Sequence, residues 1–131
     1  MLPSRLLYRP IGPGQLQAVL ASGGRRFPPR RRNQAYFYPL EREAFARWIA
    51  RHWHVPHSGV GYITRFRVEA DYLQRWPRFC VGGDEHWEYR IPAPALEDFN
   101  AHIVGPIEVV AVCGAEGPAP VPEPAARAQM P

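Results

Sequence analysis

His86-Trp87-Glu88-Tyr89-Arg90-Ile91 alternates polar and apolar side chains, and that period of two predicts a β-strand over residues 86–91. One face carries His86, Glu88 and Arg90. The other carries Trp87, Tyr89 and Ile91 and reads as a core face. Pro92 closes the strand. Gly82-Gly83 just upstream gives a turn where a ligand can approach the backbone closely. A carboxylate beside such a turn makes Glu88 the first candidate for chemistry, although an edge strand with a solvated outer face has the same pattern.

Working outward, residues 60–68 alternate well, with Val60, Tyr62, Thr64, Phe66 and Val68 on one face of a strand. Residues 41–53 form the clearest helix. Glu41 and Glu43 lie in its first turn, where the helix dipole favours them, and Phe45, Trp48, Ile49 and His52 fall on one face. Residues 54–59 read as a loop, 71–76 as a helical turn and 79–81 as an extended piece. Nearer the start, 6–9 is a strand stopped by Pro10, and Pro13-Gly14 opens a helix over 15–22. A loop over 23–33 follows, then an aromatic strand over 35–38 ended by Pro39. Residues 95–102 form a helix with Leu96 and Phe99 inward, and 107–113 a last strand. The Pro/Ala-rich tail, 115–131, has no core-forming periodicity and is expected to be disordered. Strand, helix, strand, helix and then mostly strands predict one α+β domain over residues 1–114.

A chain of 131 residues with 46% hydrophobic content can bury a single core. No apolar run is long enough to span a membrane as a helix, and residues 1–9 lack the pattern of a secretory signal. Two cysteines, Cys80 and Cys113, without metal spacing suggest reduced thiols. All 16 basic residues are arginine and the net charge is +4. Coding bias explains much of that choice, but guanidinium groups also suit phosphate and carboxylate ligands. Arg25, Arg26, Arg30, Arg31 and Arg32 crowd one loop around Pro28-Pro29. This gives an alternative reading as a non-enzymatic module that binds nucleic acid or a protein partner.

Three further signals are weaker. The stretch from Ser58 to Phe66 is similar to a base-stacking RNA-recognition strand, but its aromatics fall out of position, so a packed core strand is expected. His52, His54 and His57 cluster without an acidic or thiol ligand at metal spacing, so no metal site is expected. Cys80 has no base partner in sequence and reads as a buried thiol.

Residues 84–92 resemble the motif of ADP-ribosyltransferases, in which a strand glutamate is followed by an apolar residue, a variable one, Ile or Leu, and Pro. Two earlier blocks fit the order of that family. Leu7-Tyr8-Arg9 resembles the first strand, and Ala35-Tyr36-Phe37-Tyr38 followed by Ala44-Phe45-Ala46 resembles the tyrosine version of the second. The resemblance covers residues 6–112 and implies a compact split β-sheet core with short flanking helices. It implies NAD as substrate, with Glu88 and His86 catalytic and Tyr8, Arg9, Tyr36, Tyr38 and Arg30 binding the dinucleotide. His86 stands where the family often has Glu or Gln, and Arg9 where the tyrosine branch usually has His, which leaves the acceptor open. A macromolecular acceptor, protein or nucleic acid, or hydrolysis of NAD is implied. Small bacterial domains of this family are often toxins, effectors or defence proteins. That implies a cytoplasmic protein, or one delivered into another cell, with an inhibitor or antitoxin protein as a partner.

Overall fold

A computed structural model describes residues 2–83 and 86–114; the expected tail over 115–131 lies outside the described residues. In chain order the elements are β1 (Ser4–Ile11), α1 (Pro13–Ala21), β2 (Tyr36–Phe37), α2 (Glu43–Ile49), a π-helical segment (Ala50–His54), α3 (Val55–Ser58), β3 (Val60–Glu69), α4 (Ala70–Leu73), β4 (Arg78–Gly82), β5 (His86–Tyr89), β6 (Ile91–Pro92), a 3-10 turn (Ala93–Ala95), α5 (Leu96–Ala101) and β7 (Ile103–Gly114). The chain is mixed α and β. No helix among the described residues is long and apolar enough to cross a membrane.

Three long strands form an antiparallel sheet in the order β1-β3-β7. Leu40 extends it. Tyr8 N–H donates to the Leu40 carbonyl and Leu40 N–H to the Tyr8 carbonyl, both at 2.8 Å. On its other side Leu40 bridges to Glu88 of β5, which pairs with β4. Tyr36 pairs with Pro92, Phe37 with Ile91 and Leu40 with Glu88. These pairs share one register, so β2 and Leu40 are parts of a single interrupted strand. β1 meets that strand only at Tyr8, and beyond this point the sheet splits.

β1 runs through Pro10 to Ile11, past the expected stop. Tyr8 turns its N–H toward Leu40, so by alternation the nitrogen of Pro10 also faces away from β3. The missing donor therefore removes no bond from the β1-β3 ladder.

Alternation sorts the side chains into two layers. One face of β1 and β3 carries Leu7, Ile11, Phe66 and Val68, which pack with Phe27, Phe37, Tyr89 and Phe99. Phe27 is the hub, with ring centroids 4.9 Å from Phe66 and 5.0 Å from Phe37. The opposite layer holds Leu40, Phe45, Ala46, Ile49, Ala50 and Ile63 beneath α2, with Tyr8 and Tyr38 at its margin. The strand over 60–68 is thus a packed core strand, as its alternation predicts.

Residues 54–58, expected as loop, are helical. Pro56 cannot donate, but it follows a π-helical turn where the regular ladder is already interrupted. The helix ends at Gly59, whose φ of 80° supplies the left-handed cap. The wide turn also reorients the expected helix face. Trp48 is exposed and stacks on His52 at 4.1 Å between centroids, so those two face outward while Ala46 and Ala50 face the sheet. Gly61 of β3 makes this close packing feasible: a Cβ there would lie 2.9 Å from the His54 Cβ and 3.0 Å from the Ala50 Cβ.

Candidate functional site

Glu88 is the buried acid of β5, with 1% of its surface exposed. The sequence pattern gives it a polar face; in the structure Leu40 stands beside it on that face and Phe45 of α2 packs on neighbouring His86. Directly opposed residues on neighbouring strands point the same way. The row Phe79–Glu88–Leu40–Tyr8 therefore shares one face of the sheet. Tyr36 and Tyr38 precede Leu40 at period-two spacing on this face, with ring centroids 6.2 Å apart. His86 belongs to it too and stacks on Phe45 of α2 at 4.8 Å. Arg90 closes the group. Its Nε donates to Glu88 Oε2 at 2.9 Å, and its guanidinium lies 3.9 Å above the Phe79 ring centroid.

A carboxylate taken out of water needs hydrogen bonds and an opposite charge, and Arg90 supplies both. The Arg90 side chain is 38% exposed, so a competing partner can reach the pair from solvent. His86 Nδ1 is buried without a hydrogen-bond partner. The side of the Glu88 face nearest His86 therefore holds an unused polar atom.

Arg9 lies elsewhere. It is adjacent to Tyr8 on β1, so its side chain leaves the opposite face of the sheet. It is 1% exposed, which excludes a solvated strand-end charge. The guanidinium sits 4.4 Å over the Phe37 ring, Nη2 donates to Gln15 Oε1 at 3.1 Å, and Nε has no partner. Burial first, and then repulsion from Arg30, holds its pKa well below the ordinary arginine value, with Tyr38 acting in the opposite sense. Arg30 donates from Nε to the Tyr36 carbonyl at 2.9 Å, and burial lowers its pKa to about 10. Tyr38 thus influences Arg9 and Arg30 from the split between β1 and β2.

The seven sequence-derived residues therefore form two groups. Glu88, His86, Tyr8, Tyr36 and Tyr38 share one face. Arg9 and Arg30 gather at the split, with Tyr38 between the groups.

Three expectations change. Cys80 is exposed rather than buried, and its thiol donates to the Gly83 carbonyl at 2.8 Å. His52 faces outward, not inward. The arginine loop is anchored through its middle: Phe27 is 2% exposed, and Asn100 both accepts from its N–H and donates to its carbonyl, each at 3.0 Å.

Two residues that matter were missed. Alternation alone makes Arg90 a face-sharing neighbour of Glu88, whereas the structure makes it the ion-pair partner. His54 was read as loop, yet it is 4% exposed beneath the π-helical turn with Nε2 unpartnered. Its position five residues before the capping glycine, Gly59, is the signal the sequence offers. Comparison with known proteins finds no matching family model, curated protein or solved structure.

Proposed function

We propose that this chain is an NAD-dependent ADP-ribosyltransferase, with Glu88 as the catalytic carboxylate. The observation that carries this reading is the shared face of Glu88, His86, Tyr36 and Tyr38 around Leu40. A strand acid sharing a face with a tyrosine pair suits cleavage of a nicotinamide–ribose bond, with an anion for the developing cation and rings on which the leaving base can stack. The split between β1 and β2 agrees with the divided sheet implied by the sequence resemblance.

In this reading the carboxylate of Glu88 accepts a hydrogen bond from a ribose hydroxyl and faces C1′. As the C1′–N bond breaks, nicotinamide leaves with the bonding pair and positive charge develops on the sugar. A fixed anion in a water-poor site stabilises that charge more than bulk water does. Arg90 holds the Glu88 carboxyl in place until the ribose hydroxyl joins it. Tyr36, at 40% exposure, and Tyr38 offer ring faces for stacking the nicotinamide. His86, two residues before the acid, stands where an acceptor would arrive. The acceptor's oxygen or nitrogen attacks C1′ and loses its proton; water in the same place gives hydrolysis to ADP-ribose.

The test is incubation with NAD labelled in the ADP-ribose part and a cell lysate, reading label on protein, RNA and DNA separately alongside free nicotinamide. Transfer or nicotinamide release that disappears in Glu88→Gln supports the reading. Full turnover in that variant refutes it.

A further inference from the structure

The start of α1, the arginine loop and the π-helical turn border a cavity of about 500 Å³ that Glu88 does not line. Its wall is rich in donors. Arg30 and Arg31 come from the loop, His54 and His57 from the turn and α3, Gln34 from the approach to β2, and Gln15 from α1. No aspartate or glutamate is among the lining residues. α1 spans nine residues and opens at Gly12-Pro13-Gly14 with neither a side-chain cap nor an acidic residue in its first turn. Its first backbone bond is from Leu16 to Gly12, so the N–H groups of Gly14 and Gln15 have no acceptor within the helix. Such a terminus favours an anion.

Two independent observations point to a ligand here. His54 lines the cavity, is 4% exposed, and its Nε2 has no hydrogen-bond partner. Directly behind Gln15, Arg9 is 1% exposed with Nε unpartnered, and no carboxylate among the described residues pairs with it. Buried cations without a counter-ion are costly, and buried polar atoms are ordinarily satisfied. We infer that this cavity binds a phosphoryl group, either as free phosphate or as part of a larger phosphorylated ligand. The Gly14 and Gln15 amides and Arg30 and Arg31 hold its oxygens, the neutral ring of His54 accepts a hydrogen bond from a P–OH at Nε2, and Arg9 supplies the balancing charge from behind. This inference stands on the cavity's own residues, independently of the role proposed for Glu88.

The experiment titrates the full chain with inorganic phosphate, pyrophosphate and NAD at fixed ionic strength, with chloride as control. Amide NMR of Gly14 and Gln15 and thermal shift are the readouts. Saturable binding by phosphate or pyrophosphate, with the largest amide shifts at Gly14 and Gln15, is expected. Loss of at least about tenfold in affinity is expected in Arg31→Gln, an exposed position that does not threaten the fold. Binding by NAD alone, with those same amides shifting, supports the site and identifies its source as a nucleotide diphosphate. Glu88→Gln should bind phosphate like the parent chain, so the two proposals fail separately. Absence of saturable binding by all three probes, or shifts that avoid Gly14 and Gln15, overturns the inference.

Discussion

Tyr8 and Glu88 stand on one face of the sheet, joined through Leu40, which bridges to both of them. This row brings the first strand and the buried acid into one layer, although neither strand bonds the other directly. Leu40 is fully buried; its own N–H and carbonyl bond Tyr8, while the flanking Glu41 N–H donates to the Trp87 carbonyl and the Pro39 carbonyl accepts from Tyr89 N–H on the Glu88 side. Replacing Leu40 with Ala should destabilise the fold by about 2–5 kcal/mol, the usual cost of emptying a buried leucine site. Urea denaturation measures it. A cost well below 1 kcal/mol would mean that the row does not depend on Leu40.

Stability should fall in mild acid because of His54. Burial first, and then the charge of Arg9, lowers its pKa to about 3; His57 adds to this and the Pro10 carbonyl opposes it. The unfolded chain takes up a proton near the ordinary histidine pKa of about 6.5, while the folded chain resists it until about pH 3. The neutral ring's contribution is therefore complete above about 6.5 and is lost as pH falls toward 3, at up to about 1.4 kcal/mol per pH unit. Carboxylates also titrate in this window, so the readout is the difference between the parent chain and His54→Gln. The variant should show a flatter decline from pH 6.5 to 4. Identical slopes would contradict the burial of a neutral ring.

Gly61 is the contact point between the π-helical turn and β3. Gly61→Ala should destabilise by about 1–3 kcal/mol, because its Cβ would meet two side-chain Cβ atoms that cannot rotate away. Gly14→Ala is the matched control. Nothing lies within 4 Å of a Cβ there, and alanine suits a helix better, so it should be neutral or stabilising by up to about 1 kcal/mol. Thermal melts of both variants decide the matter.

The arginine loop owes its course to a clamp. Asn100→Ala removes both side-chain bonds to the Phe27 backbone and should cost about 1–3 kcal/mol. It should also speed proteolysis next to Arg25 and Arg26. Unchanged cleavage would show that Phe27 burial alone fixes the loop.

Much of this architecture was legible where the pattern is local. β3 alternates cleanly because one of its faces packs on the aromatic core, and α5 declares itself through Leu96 and Phe99. What escaped detection depends on contacts distant in sequence. Glu88 shares the pattern of a solvated edge-strand residue until Leu40, forty-eight positions earlier, pairs beside it in the sheet. Nothing local to Arg9 tells that its guanidinium is buried against Phe37 and Gln15. The helical continuation through Pro56 was hidden because a proline normally signals a break, whereas here it follows a widened turn. Cys80 looked like a core thiol because its apolar neighbours Phe79 and Val81 dominate the local pattern, yet it ends up exposed on β4.

The role assigned to Glu88 is tested most directly by nicotinamide release from NAD in the parent chain and in Glu88→Gln. The amide keeps the size of the carboxylate but loses its charge, so both chains should fold and bind NAD comparably. Release should fall by at least about a hundredfold in the variant, in line with the loss of one preorganised electrostatic group. Equal release from the two chains, or none from a folded parent chain that binds NAD, would contradict the account.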